Sequence, residues 1–391
     1  MIQQEEETYT PEERIKRLVE LKPVDRIGVG PQIVADAARY AGMSIAEYCL
    51  DINKARKAHD EAYEKIGRPD MCMPMPLGPM FYFPFSMAFA YSFYTAHWKF
   101  PGITKGYPED RIYQMIETDV FGPDGYDKLI EDGLHRFVRF DEASARDMIE
   151  KALPTGKVTY DWLLEYKKRH IPMWGGYGYS MGMCEVPLAI CMAYRGIENF
   201  VRDVMHRPDK LIEVADELVD SMIAIGEQSA LMGGVEPYQI FNGGFGSWST
   251  DFISPKSYLK LVHPYLKKMI HTFVEDGFMV HLHWHNNITP LLEYFKEVIP
   301  KKSCVLYIDN LTDIGKAKEI LGDRVCIMGN ITPSTLTVGT PKDVEKEVKK
   351  AIDAAKGDTG YILSVETGDD TKLENMQTLV RVGKEYGRYK R

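Results

Sequence analysis

The sequence lacks several features that would assign the chain to a specialised class of protein. Its six cysteines include no CxxC pair, which favours reduced, buried thiols over a disulfide framework. No apolar run approaches the length needed to cross a bilayer, and the acidic, polar start at 1–10 is unlike a signal peptide. These absences predict a cytoplasmic protein that does not enter a membrane.

Positive charge is also scarce. The chain has 48 Lys and Arg against 57 Asp and Glu, and its formal net charge is −9. Since nucleic acids and anionic membrane surfaces are negatively charged, we expect neither as the main partner. What the chain does have is length and apolar content: 391 residues, 45% of them hydrophobic, are enough for one large core.

Short apolar runs alternate with longer amphipathic stretches from about residue 170 onward. Predicted strands are Ile171–Tyr177, Tyr238–Gly243, Phe278–Trp284, Val305–Asp309, Val325–Gly329 and Tyr361–Glu366. Predicted helices include Arg202–Gln228, Pro255–Glu275, Ile288–Val298, Asp313–Leu321 and Pro341–Ala355. Such alternation predicts an α/β fold with a parallel sheet. The number of units favours a closed (β/α)8 TIM barrel over an open doubly wound sheet.

The first 170 residues are less regular. Pro11–Leu21 and Ile33–Asp60 predict helices, with a strand or extended turn at Asp25–Gly30, so 1–70 is interpreted as an N-terminal helical extension. Residues 71–102 are dense in Met, Phe, Tyr and Pro. This stretch is either a buried connector that closes one end of the barrel or an aromatic lid over a substrate. With no repeat or linker, we predict a single barrel domain over 1–391, with regular βα units from 170.

Three histidines occupy alternate positions in the predicted strand after Gly277. Because side chains alternate along a strand, His281, His283 and His285 share one face, which we expect to point into the barrel. Residues two apart on one face lie about 6.5–7 Å apart, close enough for two imidazoles to bind one metal ion. His281 is the deepest of the three and the one expected to be structural. The alternative is that interior histidines satisfy only one another or backbone groups.

Polar residues mark the ends of other predicted strands. Glu366 lies at the C-terminal tip of the last strand, and Asn242 and Asn330 lie at the ends of two earlier ones. Barrel enzymes place their catalytic groups at this end of the strands. The pattern therefore predicts an active-site mouth, although polar residues at strand tips also cap loops.

Several segments, in order along nearly the whole chain, resemble the uroporphyrinogen decarboxylase superfamily. That superfamily includes methylcobamide:thiol methyltransferases and corrinoid-linked demethylases. The segments are RIKRLVELKPVDRIGVGP (14–31), CEVPLAICMAYRGIENFVRDVMHRPD (184–209), FISPKSYLKLVHPY (252–265), DRVCIMGNITPSTLTVGTP (323–341) and LSVETGDDTKLEN (363–375). The resemblance implies a barrel of that type with an N-terminal extension.

The resemblance also implies site residues. The thiol methyltransferase branch holds zinc with a His-x-Cys pair and a later Cys, which match His283, His285 and Glu366 here. Asn242 falls at a position where the family carries an active-site polar group. The decarboxylase branch has an arginine-rich signature that grips porphyrin carboxylates, and Gly28–Pro31 stands in its place. A substrate with several carboxylates needs several cations, so this departure counts against decarboxylation.

Replacing sulfur ligands by nitrogen and oxygen leaves a metal ion a harder Lewis acid, which suits an ether oxygen as leaving group. The expected activity is therefore transfer of a methyl group from a small methoxylated, even aromatic, substrate to cobalamin carried by a corrinoid protein. Zinc is the expected metal, with His283, His285 and Glu366 as ligands and Asn242 as a further catalytic residue. Metal-free acid catalysis by Glu366 and a histidine stays open, as does an amine donor. Alternatives are a thiol methyltransferase, a decarboxylase-like lyase or a non-catalytic corrinoid-binding barrel.

Overall fold

The computed structural model describes residues 7–74, 98–102, 104–116, 119, 121–122, 124–137, 142–173, 180–232, 234–244, 253–355, 357 and 359–389. The helices are α1 Pro11–Val19, α2 Asp36–Ala41, α3 Ile45–Leu50, α4 Ile52–Lys65, α5 Gly125–Phe137, α6 Glu142–Lys168, α7 Pro187–Arg195, α8 Ile197–His206, α9 Pro208–Met232, α10 Pro255–Leu261, α11 His263–Glu275, α12 Leu292–Val298, α13 Ile314–Leu321, α14 Pro333–Val338, α15 Pro341–Ala355 and α16 Leu373–Tyr386. The strands are β1 Gly28–Val29, β2 Gln32–Ile33, β3 Met73–Pro74, β4 Trp98–Lys99, β5 Gln114–Met115, β6 Ser180–Glu185, β7 Tyr238–Gly244, β8 Met279–Trp284, β9 Cys304–Ile308, β10 Cys326–Asn330 and β11 Tyr361–Ser364.

Seven strands form one parallel sheet in the order β1-β11-β10-β9-β8-β7-β6. The sheet continues past β1, because Gln32 of β2 bridges Glu366 on one side and pairs with Met73 of β3 on the other. Cys72 then bridges Met173, whose carbonyl accepts a hydrogen bond from the Gln239 side chain of β7. These contacts close the sheet on itself, and the chain is a TIM barrel, as predicted.

The two faces of the sheet separate in the way that strand alternation requires. Side chains that point into the barrel form one cluster, with Met279 of β8, Tyr307 of β9, Met328 of β10 and Ile362 of β11 among its members. The alternate residues pack outward against the helices and belong to the main core: Val280, Leu282 and Trp284; Leu306 and Ile308; Ile327; Leu363 and Val365. The face on which a residue lies therefore follows from its position in its strand.

Helix α1 covers the N-terminal end of the barrel. Its Ile15 and Leu18 belong to the interior cluster and press against Gly28, where an added Cβ would lie 2.9 Å from Ile15 Cδ1. Thr10 begins the helix with a capping box to Glu13. The buried guanidinium of Arg14 donates to the Asp70 carboxylate at 2.7 Å, and Arg26 donates to the same carboxylate at 2.5 Å. Apolar side chains of α1 thus fill this end of the barrel, and ion pairs to Asp70 stabilise it.

Several predicted boundaries were wrong for identifiable reasons. Ser180–Glu185, where no strand is predicted, is strand β6; the glycines around it lower its strand propensity. The predicted helix at 202–228 breaks at Arg207, because Pro208 starts a new helix. The predicted helix at 255–275 breaks at Val262, two residues before Pro264. Most of the predicted strand at 171–177, and of the aromatic segment at 71–102, lies outside the described residues.

Candidate functional site

Three side chains converge at the C-terminal end of the barrel. Nε2 of His283 lies 3.1 Å from Nε2 of His285 and 3.0 Å from Oε2 of Glu366. The third side of this triangle, from Nε2 of His285 to the same carboxylate oxygen, is 3.5 Å. No second such cluster of metal-binding side chains occurs among the residues that the structure describes. The sequence prediction had named these three residues as one site, and the structure brings them together.

Strand geometry explains the convergence. His283 lies on β8 with His281 and Met279 on the interior face, and His285 follows directly after the strand. Glu366 lies two residues beyond the end of β11, where it bridges Gln32. In the strand order β8 and β11 are separated by β9 and β10, so the barrel's curvature, rather than strand adjacency, brings the two ends together.

The donor set fits a tetrahedral metal ion. With zinc–ligand bonds of about 2.0–2.1 Å, tetrahedral geometry places two ligand atoms about 3.3 Å apart. The three observed separations, 3.0, 3.1 and 3.5 Å, bracket that value. Two imidazoles and one carboxylate leave a fourth position open, which is the arrangement of catalytic zinc sites. The residues present therefore suit a metal ion of zinc's size and preference.

For His285 and Glu366 the pKa values are displaced in the direction that metal ligation requires, towards a neutral imidazole and an ionised carboxylate. Burial alone raises the pKa of Glu366, but the charge of His283 and its hydrogen bond outweigh burial and lower this pKa to about 2. Burial and the neighbouring His283 lower the pKa of His285, against the opposing charge of Glu366. At neutral pH the carboxylate is therefore charged and the His285 ring neutral.

Two further rings surround His283. Tyr307 of β9, its register partner, stacks flat against it, and His281 stacks beneath it with ring centroids 5.8 Å apart. His281 is fully buried and does not belong to the convergent cluster, in line with the structural role expected for it. The His283 ring is thus held between two aromatic neighbours.

Asn330, another predicted strand-tip residue, does not join the cluster. Asn330 donates its amide to the Thr312 carbonyl at 2.9 Å, so it ties one loop to the next. Asn242 lies on β7 in register with Leu282, one position before the level of His283. The side chain of Asn242 lies outside the described residues, so its catalytic role stays a prediction.

Two polar residues of the barrel interior are not among the predicted site residues. Gln32 is fully buried beside Glu366, and neither atom of its side-chain amide has a hydrogen-bond partner among the described residues. Glu185 ends β6, and its two carboxylate oxygens are likewise buried without a partner there. Buried polar groups are normally paired, so such exceptions mark places where a ligand completes the bonding. Neither residue carries a sequence motif; only the interior face of its strand could have indicated it.

Comparison with known proteins is consistent with this architecture. The model of the uroporphyrinogen decarboxylase (URO-D) family matches residues 179–386, more than half of the chain. The chain therefore belongs to the URO-D family. The matched segment contains β6 to β11 and all three residues of the convergent cluster.

Individual relatives are distant. The chain is 26% identical over 161 residues to uroporphyrinogen decarboxylase of Syntrophotalea carbinolica. This aligned segment covers 41% of this chain and 44% of that protein. It is 30% identical over 171 residues to the Geobacter sulfurreducens enzyme, 44% of this chain and 47% of that protein. The chain thus spans less than half the length of these curated relatives.

A solved structure matches over almost the whole chain. A methyltransferase from Methanosarcina mazei superposes with a TM-score of 0.68 and 16% identity, covering 97% of this chain and 99% of that protein. At this identity the match establishes a shared fold. Within the described residues, we find no helix with the length and apolar character needed to traverse a bilayer.

Proposed function

We propose that this protein is a methyltransferase that moves a methyl group from a small methoxylated substrate to the cobalt of a corrinoid protein. The observation that carries the proposal is the convergence of His283, His285 and Glu366 at the barrel mouth. Membership of the URO-D family and the fold shared with the Methanosarcina mazei methyltransferase support it. The single domain and the cytoplasmic location predicted from the sequence are part of the same proposal.

His283, His285 and Glu366 would hold zinc, which when bound supplies a Lewis acid for the oxygen that loses its methyl group. The protein's own contribution is orientation. The His283 ring is fixed between Tyr307 and His281, and Glu366 accepts a hydrogen bond from His283 and lies 3.5 Å from Nε2 of His285. The substrate oxygen would occupy the fourth coordination position, which these three residues leave open. The corrinoid partner, not this chain, provides the nucleophile.

The ligand chemistry favours an oxygen leaving group over a thiol acceptor. All six cysteines are free and buried, and none belongs to the cluster. Sulfur ligands would keep a zinc-bound thiolate nucleophilic, whereas nitrogen and oxygen ligands leave the ion a stronger Lewis acid. The proposed direction is therefore from ether oxygen to corrinoid.

The buried arginines disfavour a decarboxylase that binds a polycarboxylate. Arg14 and Arg26 are held by Asp70 beneath the barrel, and Arg14 also pairs with Asp25 at 2.8 Å. Both guanidinium groups are thus committed to the protein's own carboxylates at the end opposite the cluster. They are not placed to bind the carboxylates of a substrate at the mouth.

The test uses the full chain, chemically reduced cob(I)alamin as methyl acceptor, and a panel of methoxybenzenes. We expect methylcobalamin to form with at least one member of the panel, followed by visible absorption. Replacing His283 and His285 together by Ala should abolish both this activity and stoichiometric zinc, measured by elemental analysis. The control is His170→Ala, an exposed histidine whose Nδ1 pairs with Glu12 at 2.9 Å.

Three outcomes would contradict the proposal. Turnover of a methoxylated compound without any corrinoid would show that no corrinoid partner is required. Unchanged methyl transfer in the His283/His285 double variant would show that the histidine cluster is not the active site. Binding of the corrinoid without transfer from any donor, unaffected by the double variant, would instead indicate a non-catalytic barrel.

A further inference from the structure

Strand β6, which ends at Glu185, lies two strands away from β8, which carries His283. Glu185 is the register partner of Gly243 on β7, and Gly243 is the register partner of His283 on β8. In a parallel sheet, register partners point to the same face. Glu185 and His283 are therefore directed to one side of the sheet, with a residue that has no side chain between them.

The neighbour of Glu185 confirms which side that is. The Cys184 thiol donates to the Met222 carbonyl of α9 at 3.1 Å, so Cys184 faces the outer helices. Because successive residues on a strand alternate, Glu185 faces the barrel interior. Register and alternation thus agree that its carboxyl group is directed into the barrel, at the C-terminal end of its strand.

Two strand spacings separate Glu185 from His283. Adjacent strands lie about 4.8 Å apart, so the two backbones are roughly 10 Å apart. Gly243, which lies between them, contributes no side chain.

The two carboxyl groups differ in their hydrogen bonds. Glu366 accepts a hydrogen bond from His283 at 3.0 Å. Both oxygens of Glu185 are buried, and neither has a hydrogen-bond partner in the described part of the chain. Burial also raises the pKa of Glu185 well above its usual range, which favours the protonated form. A buried carboxyl group that keeps its proton and has no partner can act as a proton donor.

We propose that Glu185 is the acid of this site and donates a proton to the oxygen that loses its methyl group. This inference rests on the proposed function. The carbon–oxygen bond breaks and its electron pair stays on oxygen. The cobalt(I) corrinoid supplies both electrons of the new bond to carbon and becomes cobalt(III). The O–H bond of Glu185 breaks, the alcohol or phenol leaves, and the Glu185 carboxylate regains a proton from water.

The principal test compares Glu185→Gln with native enzyme on methoxybenzenes whose phenol products differ in acidity. Glutamine keeps the size and polarity of the side chain but has no proton to transfer. For the least acidic phenols we expect the rate of methyl transfer to fall by about 10²–10⁴-fold, the usual contribution of a general acid. For nitro-substituted phenols, which depart without protonation, the loss should shrink to a few-fold. A loss of equal size across the series would overturn the proposal.

The matched control is Glu227→Gln. Glu227 lies on α9, outside the barrel, and burial together with a hydrogen bond to Asp276 also raises its pKa. This variant should show the native dependence on phenol acidity. Both variants should keep the zinc content of the native protein, because neither residue belongs to the cluster. A change in zinc content in Glu185→Gln alone would assign Glu185 to metal binding and overturn its role as acid.

A second measurement does not depend on turnover. The infrared difference spectrum of native protein minus Glu185→Gln at pH 7 should contain the carbonyl stretch of a protonated carboxylic acid. A carboxylate band in its place would show Glu185 to be ionised and would overturn the proposal. If native enzyme transfers no methyl group from any methoxylated compound, the proposed function fails, and this spectrum still decides whether Glu185 is an acid.

Discussion

The ring of Tyr307 lies flat against the ring of His283, with centroids 4.2 Å apart and planes 2° from parallel. Both residues are buried and are register partners on neighbouring strands, so the stacking fixes the direction in which His283 presents Nε2. Groups that orient a ligand contribute to metal affinity although they never touch the ion.

Replacing Tyr307 by Leu should therefore weaken zinc binding by about 10–100-fold, the usual cost of losing an orienting neighbour. Tyr307→Phe keeps the ring and should stay within a few-fold of the native affinity. Zinc affinity measured by competition with a chelator checks both variants. Equal affinity for Tyr307→Leu and native protein would show that stacking does not position His283.

A substitution of Gln32 tests whether its side-chain amide, next to Glu366, lacks a partner in the folded protein. Replacement by Met, which has similar length and no hydrogen-bonding group, should raise the free energy of unfolding by about 1–3 kcal/mol, because a buried polar group without a partner is costly. The same change should lower the rate of methyl transfer, since the amide is available to bind substrate. Urea unfolding and the methyl-transfer assay measure the two effects.

The matched control for Gln32 is Gln239, which is equally buried in the barrel wall but donates to the Met173 carbonyl at 3.3 Å. Gln239→Met removes that hydrogen bond and should destabilise the protein. If Gln32→Met is destabilising as well, the amide of Gln32 has a partner in the folded protein and the argument for a binding role is lost.

His59 makes the stability of the protein depend on pH. Burial lowers the pKa of His59 to about 3, and its Nε2 lies 2.6 Å from the Tyr48 hydroxyl. Its pKa is lower in the folded chain than in the unfolded chain, so between these two values the unfolded chain binds more protons. The stability that neutral His59 provides is complete above its unfolded pKa and is lost progressively as the pH falls towards 3.

Between pH 7 and pH 5 we expect His59 to account for a loss of roughly 2 kcal/mol in the free energy of unfolding. His59→Gln, which can still bond to Tyr48, should lack this part of the pH dependence. Urea unfolding of both proteins at the two pH values measures the difference. Parallel curves for the two proteins would contradict a neutral His59 in the folded state.

The sequence predicted the barrel and the cluster because both depend on regular alternation. A period of two residues placed His283 and His285 on the same inward-facing side, and the strand-end rule placed Glu366 at the same mouth. The distances within the cluster required the coordinates, because His283 and Glu366 are 83 residues apart. Sequence periodicity does not contain the curvature that brings strand ends together across a barrel.

There are also physical reasons why Glu185 and Gln32 were not among the predicted site residues. Glu185 is a single acid after a glycine-rich stretch, and its importance follows from the register of β6, β7 and β8, which the sequence does not show. Gln32 owes its position to a bridge with Glu366, more than 300 residues further along the chain. Helix breaks at Pro208 and Pro264 were available in the sequence, since proline removes a donor from the helix ladder.

Helix α1 closes the N-terminal end of the barrel. Ile15 and Leu18 fill the space under Gly28, and the paired arginines at the same end anchor that helix to Asp70. A molecule that reaches the histidine cluster must therefore enter through the opposite end of the barrel. If the proposed reaction occurs, the methyl donor and the corrinoid use the same opening, so the small donor binds first and the corrinoid then covers it. This binding order follows from the closed end of the barrel rather than from any residue at the mouth.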